Sequence, residues 1–354
     1  MMSSKSSAKP VWLVIDSLTY GGIETHVLQL ATGLIRNHVP VRVLLVRRYG
    51  SVSPLEQKLR DIGVDVDFLS DSGQSPLFAL IERVKQNAPQ CLHCHGYKAS
   101  LMGKVARLIT GVRQLSTYHA GEVPSGKVWL YDALDRYSAF MSHHTLCVSD
   151  AIRARIPFRS KLQNNFIDTQ GLAASVGHQI AYVGRLSFEK APDRFVGLAK
   201  ALPNHHFDVY GTGPEEAKSR QPRLTNLTFH GHQAEMNQIW PDIGVLVIPS
   251  RFEGLPMTAL EAMARGIIVI AMDVGNLSRL IKHGKNGFLV SDPAQLPDTL
   301  CQVLALDNAQ DQALRHSAVE TIRRHYSLRA ALPTLLKLYY GPHYQSDCQF
   351  ENLN

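Results

Sequence analysis

Short apolar runs rich in β-branched residues alternate with amphipathic stretches along the whole chain. The run VWLVI at residues 11–15 has the length of a buried strand, and the apolar residues after it share one helical face. Those residues are Ile23, Val27, Leu30 and Leu34. Strands that alternate with helices form parallel sheets covered by helices. The alternation therefore predicts an α/β fold.

The strand pattern occurs in two blocks, separated by the polar stretch DTQGLAASVGH at residues 168–178. The predicted strands are 11–15, 41–46, 64–68, 90–94, 113–117 and 145–149, then 180–184, 206–211, 227–231, 244–249, 267–271 and 287–290. Helices are predicted over 77–86, 98–109 and 328–340. A chain of 354 residues also suits two cores better than one. We expect a polar tail at 1–9, Rossmann-like doubly wound domains at 10–170 and 171–327, and a C-terminal segment at 328–354 whose helix crosses back to the N-terminal domain.

Composition restricts the class of protein. Hydrophobic residues make up 45% of the chain and charged residues 19%, and no apolar run reaches the ~20 residues that span a bilayer. The first ten residues are polar and the apolar stretch after them is too short for a signal peptide. We therefore expect a cytoplasmic protein whose five cysteines are thiols.

Positive charge is concentrated in the N-terminal half. Residues 1–165 hold 20 Lys and Arg against 12 Asp and Glu, whereas residues 166–354 hold 17 against 18, within a net charge of +7. Such a half favours an anionic membrane surface or a phosphorylated ligand, although solvated basic helices with no partner explain it equally well. No aromatic residues are interleaved with the basic ones, so no nucleic-acid partner is expected.

Ligands of parallel sheets bind beyond the carboxyl ends of the strands, so the residues after each strand are candidate site residues. Gly21 and Gly22 follow the first strand, where glycines and a helix N-terminus allow close approach of an anion, or form a tight turn. Arg185 and Lys190 follow the strand at 180–184 and suit a diphosphate, unless they pair with Glu189. A second glycine turn, at Gly211 and Gly213, follows the strand at 206–211.

The segment PSRFEGLPMTALEAMARGIIVIA at 249–271 carries the strongest signal. Glu253 lies in the loop after a strand and Glu261 lies two turns into the following helix. The backbone of Gly254, Leu255, Met257 and Thr258 lies near the helix start, where amide groups bind a diphosphate. The two carboxylates and the helix start could hold a sugar, a diphosphate and a ribose, or Glu261 could be a salt-bridged helix residue.

This segment closely resembles the E-x7-E segment of the family-4 retaining glycosyltransferases, which have the GT-B fold of two Rossmann-like domains facing across a cleft. The resemblance covers most of the chain and keeps the order and spacing of the family's motifs. The matching stretches are GGIETHVLQLA, HCHGYKAS, STYHAGE, CVSD, NNFID, YVGRLSFEKAPDRF, VYGTGPEE, FHGH and VGNLSRLIKHGKNGFLV. The chain departs from the family's usual pattern at Lys190-Ala191 (Lys-Gly), Asn165-Phe166-Ile167-Asp168 (Asn-Gly-Ile/Val-Asp) and Ile23-Glu24 (Ala-Glu).

The resemblance implies a role for each candidate residue. His119 would lie beside the transferred sugar, Glu253 would contact its hydroxyls, and Arg185 and Lys190 would neutralise the leaving diphosphate. Glu261 would bind the ribose of the nucleotide and His95 would line the acceptor side. The remaining donor-binding residues would be Gly21, Gly22, Gly211, Gly213, Gly254, Leu255, Met257 and Thr258.

As a member of this family the protein would be a retaining hexosyl- or N-acetylhexosaminyltransferase. It would move a sugar from a nucleotide diphosphate sugar, UDP-linked by family frequency, to a saccharide or lipid-linked acceptor in cell-surface polysaccharide synthesis. The N-terminal domain would bind the acceptor, through loops such as 47–54 and 120–130, and could dock on the inner face of the cytoplasmic membrane. No metal cofactor is expected. The alternatives are another GT-B enzyme, such as a sugar-nucleotide epimerase or a phosphorylase, or a non-catalytic partner subunit.

The motif CLHCH at residues 91–95 matches both a haem-attachment sequence and half of a zinc site. No second ligand pair follows at the spacing that would complete such a zinc site. Strand alternation places Cys91, His93 and His95 on one face and Cys94 on the other. We therefore interpret the cysteines as packing residues and His95 as the site residue of this segment.

Overall fold

The computed structural model of the chain describes residues 9–18, 20–49, 53–119, 126–221, 223–342 and 344. The chain divides into two compact units, Met1–Asp168 with Leu328–Asn354, and Thr169–Ser327. Each unit contains one fully parallel sheet, so the predicted α/β class with two Rossmann-like sheets is confirmed. Parts of the predicted tail and of the loops 47–54 and 120–130 lie outside the described residues. None of the helices described combines the length and the apolar character needed to cross a bilayer.

The first unit contains a seven-stranded sheet in the order β3-β2-β1-β4-β5-β6-β7. Its strands are β1 Val11–Ile15, β2 Val41–Leu45, β3 Asp65–Phe68, β4 Cys91–His95, β5 Gln114–Tyr118, β6 His144–Cys147 and β7 Lys161–Leu162. Its helices are α1 Gly22–Arg36, α2 Pro54–Asp61, α3 Pro76–Asn87, α4 Tyr97–Thr110, α5 Gly126–Tyr137 and α6 Asp150–Ala154, with 3₁₀ turns at Leu69–Ser72 and Ala139–Met141. The two-residue edge strand β7 is the one strand of this sheet that periodicity did not predict, because it is too short to show a pattern.

Both faces of this sheet are buried. Val11, Leu13 and Ile15 of β1 pack in one apolar cluster, while Trp12 and Val14 pack in another. Successive side chains of a strand point to opposite faces, so an uninterrupted apolar run such as VWLVI is what a strand covered on both sides requires.

The second unit contains a six-stranded sheet in the order β10-β9-β8-β11-β12-β13. Its strands are β8 Gln179–Val183, β9 Phe207–Tyr210, β10 Leu227–Gly231, β11 Ile243–Ile248, β12 Ile268–Met272 and β13 Phe288–Val290. Its helices are α7 Pro192–Ala201, α8 Glu216–Ser219, α9 Met257–Ala264, α10 Leu277–Leu280, α11 Leu296–Leu304 and α12 Asn308–Thr321. Short helical turns occur at Phe188–Lys190, Met236–Gln238, Trp240–Asp242, Pro293–Gln295 and Ile322–Tyr326.

The last helix, α13 Leu328–Tyr340, belongs to the first unit although it follows the second in sequence. Its residues Leu332, Leu335 and Tyr339 lie in the apolar cluster that also contains β1 and α1. A Cβ atom on Gly33 of α1 would lie only 2.6 Å from the side chain of Leu328, so glycine is what allows this close approach. The C-terminal helix thus completes the core of the N-terminal half.

The strand order reverses direction between β1 and β4 in the first unit and between β8 and β11 in the second. In open parallel sheets the crevice at such a reversal is where ligands bind. The loops that follow these four strands are therefore where each unit is expected to place its chemistry.

Candidate functional site

The loops after β8 and β11 of the second unit are joined by an ion pair. The ammonium group of Lys190 lies 2.8 and 2.7 Å from the two carboxylate oxygens of Glu253. The hydroxyl of Ser250 also donates to Glu253, at 2.7 Å. The Glu253 side chain is only 5% exposed and that of Lys190 is 30% exposed. The sequence singled out both residues but not their pairing.

The pairing with Glu189 that the sequence left open does not occur for Lys190. Glu189 instead accepts a hydrogen bond from the hydroxyl of Ser187, two residues earlier. Arg185 is exposed, and no ion pair to it is found among the residues that the structure describes. One of the two predicted cations is thus available to a ligand, and the other is held by Glu253.

The two loops are fixed to one another by a set of arginine contacts. Arg251 donates to the carboxylate of Asp193 at 2.9 and 2.6 Å, and its backbone amide donates to the carbonyl of Glu189 at 2.8 Å. Arg194 donates to the carbonyl of Pro249 at 3.0 Å. These contacts hold the Lys190–Glu253 pair in a defined place at the carboxyl ends of β8 and β11.

Ala191, where the family pattern has glycine, keeps the backbone conformation of the turn. Its φ of 53° is in the left-handed region that favours glycine, and the residue is fully buried. This departure therefore leaves the turn that presents Lys190 in place, at some cost in backbone strain.

The loop from Glu253 to Leu255 packs against the segment that begins at Gly275. The amide of Asn276 donates to the carbonyl of Gly254 at 2.8 Å. A Cβ atom on Gly275, whose φ is 61°, would lie 2.2 Å from the carbonyl oxygen of Glu253. Helix α9 begins at Met257, after Pro256, so Leu255 and Gly254 precede it rather than forming its first turn. Met257 is buried and Thr258, next in the helix, is half-buried.

Glu261 lies in α9, as the sequence predicts, but it is the fifth residue of that helix and so lies just over one turn after the loop rather than two, because the helix begins only at Met257. Its carboxylate makes no ion pair with any residue in the described part of the chain, so the salt-bridged interpretation is not supported. Burial raises the pKa of Glu261 to about 7, and the charge of Arg265 opposes that shift only in part. The Arg265 guanidinium is bonded to other groups, the carbonyl of Glu261 at 2.9 Å and the side chain of Asn237 at 2.7 Å. Glu261 is therefore a desolvated carboxylate that accepts no hydrogen bond from the residues that the structure describes.

Gly211 and Gly213 have a structural explanation. A Cβ atom on Gly211 would lie 1.9 Å from the carbonyl oxygen of Gly184, and one on Gly213 would lie 2.3 Å from that of Leu186. The amide of Leu186 also donates to the carbonyl of Thr212 at 2.9 Å. These glycines let one loop pack against the backbone that carries Arg185, and the donor contact predicted for them remains a prediction.

In the first unit, a pocket opens at the carboxyl ends of β1, β4 and β5. Ile15, His95 and Tyr118, the last residues of these strands, line it, together with His119. Sequence reasoning missed its charged wall, where the Lys98 ammonium lies 2.6 Å from the Asp16 carboxylate. Lys98 and Asp16 follow different strands in sequence, so nothing in their spacing relates them.

Gly21 and Gly22 lie at the start of α1, but the amide groups there are partly used. The amide of Gly21 donates to the carboxylate of Glu24 at 3.0 Å. Glu24 is almost fully buried, and burial raises its pKa. The helix N-terminus that the sequence offered to an external anion is thus capped in part by a carboxylate of its own first turn.

His95 and His119 are in direct contact in this pocket. Nδ1 of His95 lies 3.0 Å from Nε2 of His119, and the ring of His26, from α1, packs against both. Burial lowers the pKa of all three imidazoles, to about 4 for His26. His26 was not singled out in the sequence, where it is one of 16 histidines.

The cysteines of CLHCH are buried thiols, as predicted. Cys91 and Cys94 are free and pack in the two different apolar clusters of the sheet. Burial raises the pKa of Cys94 to about 12, which leaves it protonated and unreactive at neutral pH.

Two family models match the amino-acid sequence. Residues 20–166 match the model described as Glycosyltransferase Family 4, and residues 177–306 match the model described as Glycosyl transferases group 1. Together the two matches cover most of the chain and fall one in each unit.

Individual proteins show the same relationship. The chain is 23% identical over 323 residues to an uncharacterized glycosyltransferase of Methanocaldococcus jannaschii, a match covering 76% of this chain and 81% of that protein. It is 35% identical over 126 residues to a lipopolysaccharide 1,6-galactosyltransferase of Salmonella typhimurium, covering 32% of this chain and 35% of that one. The crystal structure of HepE from Anabaena in complex with UDP-glucose superposes with a TM-score of 0.78 over 93% of this chain and 98% of that one, at 15% identity.

Proposed function

Because this chain belongs to the group 1, family-4 glycosyltransferases and has their GT-B fold, we propose that it is a retaining transferase that uses a UDP-linked sugar. The group transferred is a hexosyl or N-acetylhexosaminyl residue. The acceptor is a hydroxyl group of a saccharide or of a lipid-linked glycan in cell-surface polysaccharide or other glycoconjugate synthesis. UDP is proposed because the superposed HepE structure contains UDP-glucose.

The observation that carries this proposal is the arrangement in the second unit. The Lys190–Glu253 pair and the exposed Arg185 follow two adjacent strands. The carboxylate of Glu261, which has no ion-pair partner among the described residues, lies just over one turn into the helix that follows. An unpaired, desolvated carboxylate is a good acceptor for ribose hydroxyls. Fixed cations stabilise a diphosphate as it leaves.

In the proposed reaction the acceptor oxygen forms a bond to the anomeric carbon while the bond from that carbon to the diphosphate oxygen breaks. The proton of the acceptor hydroxyl passes to the departing diphosphate. Arg185 and Lys190 stabilise the negative charge that develops there, while Glu253 accepts hydrogen bonds from hydroxyls of the donor sugar. The first unit receives the acceptor at the pocket of His95, and His119 contacts the transferred sugar.

We further propose that the first unit docks on an anionic membrane surface, at the cytoplasmic face, through α5. In most helices of a globular protein the apolar stripe faces the core. In α5 the stripe faces solvent, since Leu130, Leu134 and Tyr137 are 53%, 51% and 68% exposed, while Asp135 of the same helix is buried. Trp129 and Tyr131 in the first half of the helix are also about half exposed.

Two more exposed aromatic residues follow α5 in the chain. Phe140 and Phe158 are exposed and contact each other, with ring centroids 5.1 Å apart. Arg159 directly follows Phe158, is exposed and, in the described part of the chain, has no ion-pair partner. Exposed aromatic and aliphatic side chains beside such a cation are suited to the interface of an anionic bilayer.

A panel of nucleotide sugars tests the transferase proposal. The cognate donor is expected to raise the melting temperature by mass action. With an acceptor present it should yield a glycoside whose anomeric configuration, measured by NMR, equals that of the donor. An inverted product would contradict the retaining mechanism. A changed nucleotide sugar released without an acceptor would identify an epimerase instead. Stabilisation by no donor would favour a non-catalytic partner subunit.

A further inference from the structure

A row of four aromatic side chains in the first unit leads from the C-terminal helix α13 to the pocket of His95. The hydroxyl of Tyr339, in α13, lies 2.7 Å from Nδ1 of His93. The ring of His93 packs against that of His95, two residues later on β4, with ring centroids 4.3 Å apart. Nδ1 of His95 lies 3.0 Å from Nε2 of His119, which follows β5. We call these four residues the aromatic row.

The inner end of the aromatic row is buried. Tyr339 is 0% exposed and His93 is 1% exposed, so their polar atoms depend on partners within the protein. Nε2 of His93 has such a partner in the Thr117 hydroxyl on β5, at 2.7 Å. Both ring nitrogens of His93 are thus hydrogen bonded, and the two bonds together hold the ring in one orientation.

These two hydrogen bonds also select one tautomer of His93. Burial lowers the pKa of His93 to about 3, so at pH 7 the neutral ring has one N–H group and one lone pair. A phenol is a stronger acid than an aliphatic alcohol, so the Tyr339 hydroxyl should donate to Nδ1. The N–H group then lies at Nε2 and donates to the Thr117 hydroxyl. A residue of α13 therefore sets the tautomer of a histidine next to the pocket.

Packing alone explains the ring of Tyr339 but not its hydroxyl. The ring belongs to the apolar cluster that contains β1 and α1, a place that phenylalanine would also fill. A buried phenol hydroxyl requires a hydrogen-bond partner, and here the partner is the histidine that packs against His95. Nε2 of His95 has no partner among the described residues, so the orientation of the His95 ring also depends on its packing against His93.

From this geometry we propose that Tyr339 and His93 are positioning residues of the transfer reaction. They hold His95 and His119 in the orientation that the acceptor and the transferred sugar require. The inference rests on the proposed function, in which His95 lines the acceptor side and His119 contacts the sugar. His93 and Tyr339 are not among the described residues that line the pocket, so they act through the other two rings.

Tyr339→Phe tests this role, because it removes the hydroxyl and keeps the ring in the core. It should lower kcat by about 10- to 100-fold, the range for a misplacement of up to about 1 Å, and raise the KM for the acceptor. The affinity for UDP should not change, since UDP is proposed to bind the second unit. Tyr340→Phe is the matched control, the same change at the next residue, whose hydroxyl donates to the Lys9 carbonyl at 3.2 Å. It should behave as the parent does, and circular dichroism verifies that both variants are folded.

A double variant separates positioning from a purely structural effect. If Tyr339 acts through the histidines, adding Tyr339→Phe to His119→Ala should leave the residual kcat of His119→Ala unchanged, because the group that is positioned is already absent. A structural effect that is independent of His119 would instead lower kcat by the product of the two single losses. Multiplied losses would therefore overturn the inference.

Nitrogen-15 NMR of the histidine rings supplies a measurement that needs no substrate. In the parent, His93 should be protonated at Nε2. Tyr339→Phe should shift the ring nitrogen signals of His95 and His119, and Tyr340→Phe should leave them in place. Unchanged signals of His95 and His119 in Tyr339→Phe would overturn the inference. A parent protein that transfers no sugar would contradict the proposed function instead, and the ring signals would still decide whether Tyr339 positions the two histidines.

Discussion

At Glu261, burial and the proposed ligand act on the protonation equilibrium in opposite directions. Burial raises the pKa of Glu261 to about 7, far above the ordinary value of 4.5. A ribose whose hydroxyls donate to this side chain favours the carboxylate and would lower the pKa again. In the absence of nucleotide, the group therefore contributes stability that is fully present below pH about 4.5 and is lost as the pH rises through about 7.

Glu261→Gln should separate these two effects. The amide does not ionise, so the variant should gain stability relative to the parent between pH 5 and pH 8.5, by on the order of 2 kcal/mol at most for a half-buried group. UDP binding should weaken by about 10- to 100-fold, since a hydrogen bond to a charged group contributes roughly 1.5–3 kcal/mol. Thermal melts and calorimetry at both pH values measure these quantities. Titration of the phosphate groups of UDP affects binding to both proteins, so only the difference between parent and variant is interpreted. An equal pH dependence of the two proteins would contradict the role assigned to Glu261.

Arg185 and Lys190 should respond differently to removal, although sequence reasoning treated them as equivalent. Arg185 is exposed and has no ion-pair partner among the described residues, so Arg185→Ala should lower turnover by roughly 10²–10³ without loss of stability. Lys190→Ala leaves the carboxylate of Glu253, which is only 5% exposed, without its ion-pair partner. The variant should therefore have a lower turnover and should also lose about 1–3 kcal/mol of stability.

Steady-state kinetics and chemical denaturation together distinguish these two outcomes. Lys218→Ala serves as a control, because that side chain is 77% exposed and pairs only loosely with Glu215, at 3.7 Å. It should leave both turnover and stability unchanged. Near-parent turnover in Arg185→Ala and Lys190→Ala would show that the two cations do not stabilise the leaving diphosphate.

At the scale of elements, helix α5 has a buried carboxylate and an exposed apolar stripe. The buried side is explained by Lys104 of α4, whose ammonium lies 2.5 Å from the Asp135 carboxylate, both groups being almost fully buried. The Ser100 hydroxyl also donates to Asp135, at 2.5 Å. This network fixes which side of α5 faces the unit and therefore which side faces outwards.

Membrane docking through α5 can be measured by sedimentation with liposomes. The triple variant Leu130→Gln, Leu134→Gln, Tyr137→Gln should weaken binding by at least about tenfold, since each apolar side chain buried in a membrane contributes roughly 1.5–3 kcal/mol. Phe78→Gln, an equally exposed aromatic residue on α3, is the matched control. Arg159→Gln should weaken binding to anionic vesicles only, by about fivefold at low salt. Equal recovery of parent and triple variant in the supernatant would leave the docking proposal without support.

The basic N-terminal half has less free charge than its composition suggests. Arg42, Arg48, Arg60 and Lys98 are paired with carboxylates, and Lys104 is buried in the network beside α5. Exposed ion pairs carry little net field beyond about a Debye length. The apolar stripe of α5, rather than total charge, therefore dominates the docking proposal.

At the scale of the whole molecule, the core of the first unit depends on α13, which follows the second unit in sequence. Leu332 of α13 is fully buried in the cluster around β1, so Leu332→Ala should destabilise the protein by about 2–5 kcal/mol. Leu304→Ala, in α11 and 41% exposed, is the control and should cost much less.

Calorimetry can assign that loss to a unit. UDP at 100 times its dissociation constant should stabilise the unit that binds it by about 2.7 kcal/mol. Leu332→Ala should lower the melting transition of the first unit and leave the transition that UDP raises unchanged. A shift of the UDP-dependent transition by Leu332→Ala would contradict the placement of the donor site in the second unit.

The sequence by itself determined the fold class and most of the strands, and it supplied the residues proposed for the donor site. Runs such as VWLVI and IIVIA are readable because a strand covered on both faces must be continuously apolar. Glu253 and Glu261 are readable because both lie within one segment, where eight positions of sequence fix their relation to a single loop and helix. Residues whose roles depend on local geometry can be found from local sequence.

Only the tertiary structure decided which of these residues meet. Lys190 contacts Glu253 across 63 positions of sequence, and His26 reaches His95 and His119 from separate elements. The sequence did not relate these three histidines, because residues from α1, β4 and the loop after β5 have no common spacing to detect. The burial of individual side chains could not be predicted from the sequence either. Glu261 is desolvated, and on α5 Asp135 is buried whereas Leu134 is exposed. The packing role of Gly211 and Gly213 also appears only in the structure. Each of these follows from contacts between elements distant in sequence, which local sequence patterns do not contain.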